Sequence, residues 1–289
     1  MQNSNSYQKR IVFYEKIHSI DEKDFESLIS IVNPEKGQII LDACCGYGSV
    51  SKRLLQVIEK NNLDTKMVLL DSSELQLSRA KENLKEKDVD FVLSDARQTP
   101  FPENHFDTVV NKMGLHEVDK ESQEQMLKEF YRILKPGGKI VIWELALSEE
   151  TQPIFSEIIK KKDELAGFDS LIRNRHFPKK EEVISELKEN GFENPKVEHD
   201  VFPNLSIRNR KEEFVSADRL KILEEKGFIE ESDEIELEKL AEEKIEELRS
   251  FVREKLSNEQ RILMNYSETE NDTILTASKA IFKATKPLV

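Results

Sequence analysis

The run Ile39-Ile40-Leu41-Asp42, followed by Ala43-Cys44-Cys45-Gly46-Tyr47-Gly48, constrains this chain more than any other segment. An apolar run that ends in an acid reads as a buried strand. The small residues after it mark a tight turn. Ser49-Val50-Ser51-Lys52-Arg53-Leu54-Leu55 then carries a helical pattern. Strand, small-residue turn and helix in this order put a helix amino terminus, with its unpaired N–H groups, behind a loop whose backbone a polar ligand can approach closely.

Further apolar runs follow at regular intervals. Met67-Val68-Leu69-Leu70-Asp71 and Phe91-Val92-Leu93-Ser94-Asp95 each end in an acid. Phe106-Asp107-Thr108-Val109-Val110-Asn111 is a fourth strand, and residues 140–143 form a fifth after a Pro-Gly-Gly turn. Strands alternating with helical stretches predict a parallel sheet covered on both faces. A carboxylate at the end of the second strand, Asp71, suits the two ribose hydroxyls of a nucleoside. A nicotinamide-binding loop would need a third glycine three residues after Gly48, and position 51 is serine.

Asp42, Cys45, Gly46 and Gly48 match the first motif of the class I S-adenosylmethionine-dependent methyltransferases, and Leu134-Lys135-Pro136-Gly137-Gly138-Lys139 is a turn characteristic of them. The resemblance covers roughly residues 35–147 and is closest to the ubiquinone and menaquinone C-methyltransferase-like branch. Cys44 stands where that motif usually has its first glycine, a departure also seen in some quinone C-methyltransferases. Gly114-Leu115-His116-Glu117 stands where the quinone enzymes carry Gly-Leu-Arg-Asn.

The resemblance implies a Rossmann-like, doubly wound α/β sheet of seven strands with the last antiparallel. It implies S-adenosyl-L-methionine as cofactor, with S-adenosyl-L-homocysteine as product. The cofactor contacts it implies are Asp42, Ala43, Cys44, Gly46 and Gly48 in the loop, and Asp71 and Ser72 at the ribose. Asp95 and Ala96 would meet the adenine, and Asn111 the methionine part. No metal is expected: the adjacent Cys44 and Cys45 belong to the loop, and neighbouring cysteines rarely ligate one ion. At the end of the fourth strand, Asn111 is followed by Lys112-Met113-Gly114 rather than Pro-Pro and an aromatic, which argues against methylation of exocyclic amines.

The chain has 289 residues and a formal net charge of −13. Such acidity repels a phosphate backbone, so the expected acceptor is a small molecule, methylated at oxygen or carbon, and not a nucleic acid. A protein or nucleic-acid methyltransferase, or a non-catalytic cofactor-binding module, are the competing readings. No run approaches the roughly 20 apolar residues of a membrane helix. The polar start 1–10 and the cysteine usage fit a cytoplasmic protein.

Four segments are expected: a helical lid over 1–36, a cofactor-binding core over 37–204, a helical insertion over 205–268 lying over the carboxyl edge of the sheet, and a final strand within 269–289. A helix from Asp21 to Val32 opens on an Asp cap. Residues 273–285 are the best seventh strand. Leu237, Ala241, Ile245, Leu248 and Val252 recur at helical steps in the charged insertion, forming the apolar stripe of a cap helix or of a homodimer face.

Methyl transfer from a sulfonium is an in-line displacement in which the cofactor carries the reactivity, so no catalytic side chain is dictated. His116 follows the fourth strand and is the candidate general base for a phenol or enol; a packing or loop-ordering role is the plainer alternative. Tyr14, Arg173 and Arg175 are candidate acceptor contacts. Arginine forks suit anionic groups. Arg208 and Arg210 form a second basic segment, and in both segments pairing with the many acids is the plainer reading.

Overall fold

The computed structural model describes residues 21–85, 87–168 and 174–288. Tyr14, Arg173 and the stretch 1–20 lie outside them. In chain order the strands are β1 (Ile39–Ala43), β2 (Lys66–Asp71), β3 (Val89–Leu93), β4 (Phe106–Lys112), β5 (Leu134–Leu145), β6 (Glu193–Val201), β7 (Asn204–Ser206), β8 (Ser267–Glu268), β9 (Thr273–Thr276) and β10 (Lys279–Thr285). The helices are α1 (Glu22–Val32), α2 (Ser49–Lys60), α3 (Glu74–Asn83), α4 (Lys120–Ile133), α5 (Gln152–Ala166), α6 (Lys180–Glu189), α7 (Lys211–Lys226), α8 (Glu231–Lys255) and α9 (Asn258–Leu263). They sort into two compact units.

One unit comprises Ile20–Ala146, Arg175–Val201 and Lys279–Val289. Among the described residues its sheet has seven strands, in the order β3-β2-β1-β4-β5-β10-β6. β10 runs antiparallel to both β5 and β6, while the pairs among β1 to β5 are parallel. Alternate strand residues supply two cores. Leu41, Val109, Ile140, Ile142 and Phe282 meet Leu127, Phe130 and Leu187 on one face. Ile40, Val110, Val141, Trp143 and Ile281 meet Phe25, Leu28, Val50 and Leu54 on the other. Each such side chain contributes about 1.5–3 kcal/mol on full burial, so covering both faces explains why the strands read as continuous apolar runs.

From β1 the sheet grows both ways, with Ala43 opposite Leu70 of β2 and Asn111 of β4. The strand order therefore reverses at β1, and sheets of this kind bind ligands at the carboxyl ends of the strands flanking such a point, here β1 and β4. The capped helix at 21–32 forms as expected, with Asp21 accepting from Lys23 N–H. Gly191, at φ 88°, follows α6.

Among the described residues, the other unit comprises 147–168, Asn174 and 202–278. It holds α5, α7, α8 and α9, and a small sheet in the order β7-β9-β8. The stripe Leu237, Ala241, Ile245, Leu248 and Val252 is buried along α8. Arg249, also buried on α8, donates to Thr273 Oγ1 and to the carbonyls of Thr269 and Glu270. Asp272 accepts from Ser206 Oγ at 2.6 Å and from Arg208 N–H at 2.9 Å.

The structure departs from expectation at one strand. The run 273–285 is two strands: β9 pairs with β7 and β8, and only β10 joins the large sheet. A single apolar, β-branched run carries no marker for which sheet each half joins, and Ala277 and Ser278 supply the break. Residues 147–168 group with the later helices.

Candidate active site

The turn after β1 is built from left-handed backbone: φ is 57° at Cys44, 56° at Gly46 and 82° at Gly48. Glycine reaches this region freely, whereas a side chain there costs about 1–3 kcal/mol. Cys44 keeps the glycine conformation in spite of its side chain. Three buried polar residues hold the turn. Asp42 accepts from Ser51 Oγ at 2.6 Å, which ties the strand end to α2. Asp71 accepts from the Gly46 N–H at 2.8 Å and the Ser73 N–H at 2.9 Å. Asn111 Nδ2 donates to the Ala43 carbonyl at 2.9 Å.

Burial pushes Asp42 up to about 6 against the pull of the Ser51 hydrogen bond. Burial also raises Asp71, opposed by the Ser73 and Gly46 N–H groups. Both thiols are free. Burial holds each well above the usual thiol range, reinforced by Asp71 at Cys44 and by Asp42 at Cys45, so neither is a nucleophile at neutral pH.

The turn leaves room and unused acceptors for a polar ligand. A Cβ built on Gly46 meets nothing closer than Gln76 at 4.0 Å. Among the described residues, Asn111 Oδ1 and Gln76 Oε1 are buried without a hydrogen-bond partner. Opposite the loop, Gly114 admits no side chain, since a Cβ there would lie 2.6 Å from Asn111 Nδ2 and 2.9 Å from Cys44 Cβ.

Asp95 lies exposed after β3 and is engaged by Arg97. The guanidinium Nε lies 3.0 Å from both carboxylate oxygens, and Nη2 lies 2.6 Å from Oδ2. This fork lowers the Asp95 pKa. Ala96 beside it is buried, whereas Ser72 after β2 is exposed.

His116 sits in a 3-10 turn, Leu115–Glu117, after β4. Its Nδ1 lies 2.7 Å from Glu144 Oε1 and its Nε2 lies 3.2 Å from Glu117 Oε1. Burial alone would lower its pKa, but Glu144 and Glu117 outweigh it and the net shift is upward. Both ring nitrogens face carboxylates, so in this geometry neither is free to take a proton from a substrate. Arg175 belongs to the same cluster: its Nη2 donates to Glu117 Oε1 at 2.9 Å, and its guanidinium lies 5.4 Å from the Phe177 ring centroid. Arg208, in the other unit, pairs with Glu242 at 2.8 Å.

Sequence reading missed Glu144 and Gln123. Glu144 is the one acid in the apolar run of β5, and that break in the pattern was its signal. Gln123 is fully buried in α4 and donates to the Leu115 and His176 carbonyls at 2.9 and 2.8 Å; nothing in the sequence distinguishes it from a surface glutamine.

A parallel sheet with one antiparallel strand next to its edge, and a glycine loop at its switch point, is the class I methyltransferase fold. The model of the family described as "Methyltransferase domain" matches residues 40–138. The ubiquinone/menaquinone biosynthesis C-methyltransferase UbiE of Yersinia enterocolitica is 30% identical over 175 residues, 55% of this chain and 68% of that protein. The YcgJ protein of Bacillus subtilis superposes with a TM-score of 0.67 at 13% identity, over 92% of this chain and 99% of that one. Phosphoethanolamine N-methyltransferase 2 of Haemonchus contortus, solved with S-adenosyl-L-methionine, gives 0.53 at 22% identity, over 99% of this chain and 57% of that one. The chain belongs to the S-adenosylmethionine-dependent methyltransferases, and within them it resembles the UbiE-like members. Among the described residues no helix is long and apolar enough to cross a membrane.

Proposed function

We propose that the chain transfers the methyl group of S-adenosyl-L-methionine to carbon or oxygen of a small-molecule acceptor. One observation carries this reading: the left-handed loop, Asp71 and Asn111 converge at the carboxyl ends of β1, β2 and β4, with Asn111 Oδ1 buried and without a hydrogen-bond partner among the described residues. A carboxylate offers about four lone-pair sites. The Gly46 and Ser73 N–H groups, with the Ser72 N–H beside them, use part of this capacity at Asp71, and what remains suits a ribose hydroxyl. Ser72 borders that position. Ala96 and the Asp95 carboxylate border the adenine position, with Arg97 shifting to share Asp95. Asn111 Oδ1 is an acceptor for the ammonium of the methionine part.

When bound, the cofactor supplies an electrophilic methyl on a sulfonium. The chain's own part is position and exclusion of water. His116, held by Glu144 and Glu117, orders the turn carrying Gly114 beside Cys44 and Asn111. A carbon acceptor is supported by the UbiE relative, whose name describes C-methylation. A small molecule is supported by the net charge of −13.

The test is S-adenosylhomocysteine release with phenolic, quinone-like and carboxylate acceptors, with product mass and carbon–methyl connectivity by NMR. Turnover on one of these supports the reading. Turnover only on RNA or a protein would replace the acceptor class.

A further inference from the structure

At the exposed end of the site the chain fills one of its own acceptors. Asp95 follows β3, whose last residue, Leu93, stands opposite Asp71 in the strand register. Ser94, between them, donates its N–H to the Asp71 carbonyl at 3.1 Å. The Asp95 charge is also among those that raise the Cys44 thiol. The carboxylate thus borders the loop that Asp71 holds, and a side-chain exposure of 47% leaves it within reach of a ligand.

Of the roughly four lone-pair sites of a carboxylate, Arg97 addresses every one. Its backbone N–H donates to Oδ1 at 2.9 Å, Nε lies 3.0 Å from each oxygen, and Nη2 donates to Oδ2 at 2.6 Å. A further donor gains a place only where the guanidinium gives one up. The guanidinium yields readily, because Arg97 is 44% exposed and water competes for both charges of such a pair.

The displaced side chain has a second seat. Arg97 Nη1 donates to Ser122 Oγ at 3.2 Å, and Ser122 Oγ donates in turn to Asp119 Oδ2 at 3.2 Å. Asp119 is exposed and caps α4. Asp95 and Asp119 both favour the Arg97 charge. The guanidinium can turn toward Asp119 without leaving acidic surroundings, and it stays beside the carboxylate it has released. The pair then offers the edge of a base two things: Asp95 accepts from an amino group, and Arg97 donates to a keto oxygen. A lone carboxylate would accept the first and repel the second.

We propose that Arg97 is a specificity-determining residue of the cofactor site: it competes with the base for Asp95 and lets the site take a keto purine in place of adenine. The proposal rests on the methyltransferase reading, which puts the adenine beside Asp95.

The experiment uses the full chain, as wild type, Arg97→Met and Arg97→Lys, the last keeping the charge but not the fork. S-adenosylhomocysteine and S-inosylhomocysteine, which carries a keto oxygen where adenine has its amino group, are titrated calorimetrically. The readout is the ratio of the two dissociation constants. A general loosening of the fold weakens both ligands alike and leaves this ratio unmoved. Freed of its competitor, Asp95 in Arg97→Met should bind the adenosyl ligand about two- to fivefold more tightly than in the wild type. The inosyl ligand, deprived of its donor, should bind at least about threefold more weakly. Arg97→Lys should fall between. A ratio in Arg97→Met that equals the wild-type ratio, or that moves toward the inosyl ligand, overturns the role of Arg97 while the function above stands. A wild-type chain that binds neither ligand counts against that function and overturns the proposal with it.

Discussion

Glu144 grips His116 twice: Oε1 lies 2.7 Å from the ring Nδ1, and Oε2 accepts the His116 backbone N–H at 3.3 Å. The same carboxylate takes the Leu115 and Leu145 N–H groups at 3.0 and 2.8 Å. β5 and the turn after β4 are thereby joined at a buried point. This joint is what supports the positioning role proposed for His116.

The His116 pKa is raised in the folded chain. Its contribution to stability is therefore complete below the unfolded value, near 6.5, and is lost as pH rises through the folded value. Glu144→Gln should cost about 3–5 kcal/mol at pH 6. The loss should shrink by pH 9. Urea denaturation at the two pH values measures this, and an equal loss at both would show that the imidazole is not charged.

Asp71→Ala removes the acceptor of Gly46 and Ser73 together with the proposed ribose contact. Affinity for S-adenosylhomocysteine should fall by roughly 1.5–3 kcal/mol. Calorimetry reads it directly; unchanged affinity would mean Asp71 serves the loop alone.

Cys44 carries a side chain at φ 57°. Cys44→Gly should relieve strain of about 1 kcal/mol, less what is lost in side-chain packing and chain entropy, and should keep cofactor affinity. Cys44→Val, β-branched at the same φ, should lose about 2 kcal/mol or more. Thermal melts of the pair test whether the loop conformation, rather than the thiol, is what the position requires.

Glu186 of α6 is buried, and burial raises its pKa to about 7, opposed by Lys120 4.0 Å away. The folded chain keeps this proton where the unfolded chain has lost it. Stability is thus full below pH 4.5 and falls as pH rises to 7. Glu186→Gln should stabilise by about 1–3 kcal/mol at pH 8 and by almost nothing at pH 4. Denaturation curves at the two pH values decide it.

Much of the fold was legible because the relevant patterns are local. The apolar runs ending in Asp42, Asp71 and Asn111 mark strand ends, and the buried stripe of α8 repeats at helical spacing. The division of 273–285 between two sheets was not legible, because pairing partners distant in sequence decide it. At the site, loop and acids stand out as residue types. The environment of His116 does not: whether it is free or held depends on Glu144, 28 positions away.

The most direct test of the account is titration calorimetry of the full chain with S-adenosyl-L-methionine and S-adenosyl-L-homocysteine, beside Gly46→Val, which puts a β-branched side chain at φ 56° in the loop. The account predicts micromolar binding of both ligands by the wild-type chain and at least a tenfold loss in the variant. Absence of binding to either at millimolar concentration, or equal binding by Gly46→Val, would contradict it.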